Sequence, residues 1–112
     1  MGDSIVQQAR QAVAELWVRV RPGIMKSLGV LDQAIAALEE QRLGDSLRLK
    51  AEQEAHKLAG SLGTFGFAKC TPLARAIEQH FQPGAPLATT DVTDLRVKVT
   101  ALRRELERPP VV

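Results

Sequence analysis

Residues 54–66, EAHKLAGSLGTFG, set one histidine, His56, ahead of three glycines, Gly60, Gly63 and Gly66, in a segment whose apolar residues keep helical spacing. A glycine inside a helix costs about 1 kcal/mol relative to alanine. Either the helix ends badly there, or something must come close to the histidine. Leu47, Ala51, Ala55, Leu58 and Leu62 recur three or four residues apart. On a wheel of about 100° per residue their mean direction lies roughly 140° from His56, so the histidine is expected to face solvent. Leu49, Glu52, Gly60 and Gly63 fall within about 40° of it, forming a surface strip in the order Leu49, Glu52, His56, Gly60, Gly63. Exposed helical positions favour Ala, Glu or Lys, so two glycines on this strip sacrifice stability without serving the core. They leave a patch free of side chains beside the ring, which a second protein could approach. Gly66 suits the turn that ends the helix, with Phe65 and Phe67 packing beneath it.

The rest of the chain supplies a helical frame for that strip. At 112 residues and 45% hydrophobic content it is expected to form one domain with one core. Ala, Leu and Val dominate, with three Phe, one Trp and no Tyr, which favours helices packed by aliphatic side chains. Fifteen Lys+Arg and thirteen Asp+Glu are interspersed for a formal charge of +2, without the basic face a nucleic-acid binder concentrates. The single cysteine, Cys70, lies on an apolar stripe and reads as a core residue; alone it makes no internal disulfide or multi-thiolate zinc site, which suits a reducing compartment. No apolar run approaches the roughly 18 residues needed to cross a bilayer, and the start lacks a basic region leading into an apolar stretch, so a cytoplasmic location is expected. Met1-Gly2 ahead of Asp3 and Ser4 formally permits myristoylation, although an initiator methionine with an added glycine is the plainer account.

Val6, Ala9, Val13, Leu16 and Val20 form a first apolar stripe, and Ile24, Leu28, Leu31, Ile35 and Leu38 a second. Between them stands Arg21-Pro22-Gly23, where proline cannot donate a helical hydrogen bond and disfavours the α conformation before it, so a break or strong kink is expected. Trp17 falls off the first stripe and is read as covering a bundle edge or, alternatively, belonging to a partner surface. Leu43-Gly44-Asp45-Ser46 reads as a turn with Asp45 or Ser46 as N-cap of the helix that carries His56. Phe67, Cys70, Leu73, Ala74, Ile77 and Phe81 make a further stripe with Pro72 in its opening turns, and Gln82-Pro83-Gly84-Ala85-Pro86 is a loop. Thr90 or Asp91 caps a last helix carrying Val92, Leu95, Val99, Leu102 and Leu106. One-sided stripes with short connections predict an all-α antiparallel helical bundle over residues 1–108, leaving 109–112, PPVV, as a linker or truncated tail.

The chemistry that fits an exposed imidazole beside a cleared patch is phosphoryl transfer. A neutral imidazole carries a nitrogen lone pair that can attack a phosphoryl donor. In-line transfer then needs access and neutralised charge more than a deep pocket. Lys57 could bring its ammonium toward the phosphoryl oxygens, and Glu52, one turn before the histidine, could accept a hydrogen bond from the ring and orient it. Blander readings stand beside these: Lys57 as a solvated charge, Leu49 as an ordinary surface leucine, His80 as a cap or surface residue. His56 and His80 have no neighbouring ligand pattern, so no metal site is expected.

At His56-Lys57-Leu58-Ala59-Gly60-Ser61-Leu62-Gly63 the chain resembles the histidine phosphotransfer (HPt) domain family, and the following "LARAIEQ" helix extends the resemblance. It implies an up-and-down four-helix bundle with an additional N-terminal helix. His56 would be the phospho-accepting residue, Gly60 the glycine that permits receiver docking and Ser61 the small residue after it. Leu49, Glu52, Lys57, Gly60, Ser61 and Gly63 would form the partner-binding face. Many members carry a lysine three residues after the histidine; here Ala59 stands there and Lys57 follows the ring directly. The resemblance implies a carrier, not an enzyme, working with a response-regulator receiver domain and/or a hybrid sensor histidine kinase. It would bind no cofactor of its own, Mg²⁺ being held by the receiver. In keeping with a carrier, the chain has no Walker-type glycine loop. A monomer is expected, with neither nucleic acid nor membrane as partner. The rival reading is a helical interaction or dimerisation module without phosphotransfer, and a further one is a phosphotransfer domain that also dimerises through its first helix.

Overall fold

The computed structural model describes the backbone of residues 2–110 and the side chains of residues 4–110. Met1, Val111 and Val112 lie outside the described residues, and with them the end of the tail expected at 109–112. Four helices account for the fold: α1 (Gly2–Glu39), α2 (Asp45–Thr64), α3 (Cys70–His80) and α4 (Asp91–Leu106). Among the described residues there is no strand.

The expected break at Arg21-Pro22-Gly23 is absent, and with it the separate N-terminal helix: α1 is one helix of 38 residues with Pro22 inside it. At 1.5 Å per residue such a helix spans about 57 Å. The molecule measures 58 × 21 × 20 Å, so α1 sets its full length and passes the proline without a sharp kink. Two features permit this. The buried stripe crosses Pro22 in phase, through Trp17, Ile24, Leu28, Leu31, Ile35 and Leu38, with Val13 and Val20 packed partly against the core. Pro22 itself is exposed, and the carbonyl it leaves without a helical donor belongs to Val18, whose side chain is 72% exposed, so water can satisfy it. The stripe expected over Val6, Ala9 and Leu16 is therefore displaced by one position: those three are exposed, and Trp17 is buried instead.

The remaining helices follow the spacing closely. Ala51, Ala55, Leu58 and Leu62 are buried on α2 with Leu47 half-buried, Cys70, Ala74 and Ile77 on α3, and Val92, Leu95, Val99, Leu102 and Leu106 on α4. Gly44, not Asp45 or Ser46, is the N-cap of α2, and Asp45 sits in the first turn, where its charge opposes the positive end of the helix dipole. At the other end Gly66 takes φ 85°, Phe67 N donates to Leu62 O (2.9 Å) and Gly66 N to Gly63 O (3.1 Å). This is the Schellman arrangement, which needs a left-handed residue where glycine alone adds no Cβ strain. Gln41 makes the same turn after α1 with φ 56°, at the cost glycine avoids.

The helices pack in a closed cycle, α1 on α2, α2 on α3, α3 on α4 and α4 on α1. Trp17 meets Phe65 and Phe67 at centroid distances of 5.1 and 5.0 Å, sealing the α2–α3 turn. Further along α1, the Ser27 hydroxyl donates to Glu54 at 2.7 Å, so the residue number on α2 falls as that on α1 rises. Asp32 receives Arg103 at 3.0 Å, and Glu39 receives Arg96 at 3.2 Å, which tie α4 to α1. The first turns of α1, residues 4–12, are exposed throughout and project beyond the Trp17 contact.

Candidate functional site

His56 stands midway along α2 with its side chain 76% exposed. Its Nδ1 lies 3.0 Å from Glu78 Oε2 on α3. A carboxylate only accepts, so this contact draws the ring proton to Nδ1 and leaves Nε2 as the lone-pair nitrogen. Among the described residues Nε2 has no protein partner. The ring is thus oriented from a second helix, and Nε2 is its unpartnered nitrogen on a largely exposed side chain.

The carboxylate on the ring is therefore not that of Glu52. Glu52 is half-buried, and its Oε2 is buried without a hydrogen-bond partner. Glu78 lies 22 residues from the histidine. The available signal was a polar stripe of Arg75, Glu78 and Gln79 on α3, continued by Gln82 just after its end and flanking the buried Ala74 and Ile77. Periodicity exposes such a stripe but does not say which helix it faces. In the fold it lines a groove of about 350 Å³ against His56 and Gly60.

The other residues of the strip divide among different surroundings. A Cβ at Gly60 would meet nothing within 4 Å, so the fold itself does not require this glycine. A Cβ at Gly63 would lie 3.2 Å from Thr71 Oγ1, whose hydroxyl donates to Ala59 O at 3.1 Å; this glycine serves the packing of α3 on α2. Leu49 is 44% exposed on the same face as the ring. Lys57 and Ser61 lie on the opposite flank of α2, lining a groove against α1. There Lys57 Nζ is 3.3 Å from Glu54 Oε1. The Ser27 hydroxyl, and secondarily the Lys57 ammonium, hold the Glu54 carboxyl below its usual range. Lys57 is thus engaged with its own helix and turned from the groove that holds the ring.

Neither Cys70 nor His80 belongs to the site. Burial, with Glu105 adding to it, pushes the Cys70 thiol up to about 11, which leaves it without thiolate reactivity. His80 Nε2 contacts Asp94 Oδ2 at 3.1 Å, linking α3 to α4. Among the described residues no group of three or more His, Cys, Asp or Glu side chains is placed to hold a metal ion. No helix there is long and apolar enough to cross a membrane.

Comparison with known proteins agrees with this geometry. Residues 4–108 match the Hpt domain family. Protein RcaC of Microchaete diplosiphon is 29% identical over 106 residues, covering 95% of this chain and 16% of that protein. The chain thus spans a small part of the length of the curated relative it matches. No solved structure gives a significant match. An all-helical frame, a histidine held outward on its second helix and a family match across nearly the whole chain place this protein in the Hpt domain family, the histidine phosphotransfer modules of phosphorelays.

Proposed function

We propose that this domain is a phosphorelay carrier that accepts a phosphoryl group on Nε2 of His56 and passes it to or from an aspartate of a response-regulator receiver domain, with a hybrid sensor histidine kinase as the other class of partner. The observation that carries the reading is the unpartnered Nε2 of an exposed ring, set by the Nδ1 contact to Glu78. In the forward step Nε2 attacks the phosphorus of an aspartyl phosphate. The N–P bond forms, the bond from phosphorus to the aspartate oxygen breaks, and the aspartate leaves as carboxylate. The ring keeps its Nδ1 proton and becomes cationic, and Glu78 balances that charge. Gly60, with open space around it, lets the receiver's pocket reach the ring, and Leu49 adds apolar contact. Mg²⁺ would be the receiver's, and this domain would act as a carrier without catalytic turnover of its own.

The cyclic packing and the paired contacts Trp17–Phe65, Ser27–Glu54 and Asp32–Arg103 support an antiparallel up-and-down bundle whose first helix is extended at its N-terminal end. The lone cysteine supports a cytoplasmic location. Incubation with a phosphorylated receiver domain should place acid-labile, alkali-stable label on the wild type and none on His56→Gln. Label persisting in that variant overturns the assignment. The exposed Ile5 and Val6 on the projecting turns of α1, with Leu16 and Val18 exposed on either side of Trp17, favour a second reading, in which the carrier also self-associates; light scattering after gel filtration separates a monomer from a dimer.

A further inference from the structure

A phosphoryl group arriving at Nε2 brings negative charge to a ring whose other nitrogen already faces the Glu78 carboxylate. With the cationic ring already balanced by Glu78, the charge on the phosphoryl oxygens is left for a further cation to offset. Ala59, three residues after the ring, has no charge to offer and is 7% exposed. Lys57 is occupied with Glu54 on the far flank of α2. Arg75 is the cation of the groove that His56 and Gly60 line. It is exposed, and among the described residues it makes no hydrogen bond or ion pair with the protein, Glu78 being engaged by His56. Its guanidinium is planar, permanently charged and forked, the geometry that pairs with two phosphoryl oxygens at once.

We propose that Arg75 is the residue that binds the phosphoryl oxygens during transfer and in the phosphohistidine, supplying the compensating charge from α3. The proposal rests on His56 as the acceptor. No bond to Arg75 forms or breaks: it donates N–H hydrogen bonds to the oxygens while Nε2 takes the phosphorus and the leaving group departs with the electron pair.

Phosphoramidate tests this without a protein partner, because its P–N bond breaks as Nε2–P forms and ammonia leaves. The rate of phosphohistidine formation on the full chain, followed by ³¹P NMR, should fall about 10- to 100-fold in Arg75→Ala, the usual loss of one charge-assisted donor set. Arg75→Lys should recover much of it, millimolar guanidinium should partly rescue Arg75→Ala, and Lys57→Ala should stay within about twofold of wild type. Rescue by a free cation separates phosphoryl binding from a structural role, and thermal melts establish that each variant is folded. Arg75→Ala at the wild-type rate, or a loss that neither Arg75→Lys nor guanidinium relieves, overturns the proposal while leaving His56 in place. Label on His56→Gln overturns the acceptor itself.

Discussion

At Gly60 a methyl group would meet nothing within 4 Å, whereas at Gly63 it would crowd Thr71 Oγ1 at 3.2 Å. The two glycines share one face of one helix, yet only at the second would a side chain press on a neighbour. Gly60→Ala should therefore raise stability by about 0.5 to 1 kcal/mol, the helix-propensity difference at an open position. The same variant should slow transfer from a receiver domain and leave phosphorylation by phosphoramidate unchanged, since only the protein donor must press against the helix. Urea denaturation and the two transfer rates check both halves; a destabilised variant would mean the position is not open. His56 obeys a similar logic. Its exposure follows from helical spacing, but its tautomer follows from Glu78, which no spacing along α2 contains.

Within α1 the decisive feature is Pro22, which removes one helical hydrogen bond and still leaves the helix continuous. Burial of Trp17 on one side and Ile24 and Leu28 on the other keeps the two halves in phase, and this outweighs a local penalty of about 3 kcal/mol for proline in a helix interior. Pro22→Ala should accordingly stabilise the protein by about 2 kcal/mol with no gain in helix content. Denaturation midpoints and far-UV ellipticity test this together. An increase in ellipticity would show that the helix breaks at Pro22 in solution. On α3 the legible part was the buried stripe; the polar stripe that lines the site was equally periodic, and nothing local assigned it a neighbour.

Across the molecule, the Ser27–Glu54 contact joins α1 to the helix that carries the histidine. The Ser27 hydroxyl holds the Glu54 carboxyl below its ordinary value of 4.5, with Lys57 adding to the effect. A depressed carboxylate contributes stability that is present above that ordinary value and is lost as pH falls through the folded one. Ser27→Ala should thus cost about 1 to 2 kcal/mol near neutrality, and its stability should fall less steeply than the wild type's below about pH 4.5. Parallel acid-limb curves for the two proteins would remove Ser27 as the cause.

The positions of α2, α3 and α4, the inward stripes from Ile24 to Leu106, the Gly66 turn and the outward face of His56 could all be read from spacing, because each depends on residues within a few turns of one another. The unbroken course of α1, the burial of Trp17 against Phe65 and Phe67, the crowding of Gly63 by Thr71, the seating of Lys57 on the wrong flank, the meeting of His56 with Glu78 and the groove that His56 shares with Arg75 could not. Each of these is a contact, or the consequence of one, between segments distant along the chain. Periodicity fixes which face a helix turns inward, but which neighbour that face or its edge meets is set by how all four helices bury their stripes at once.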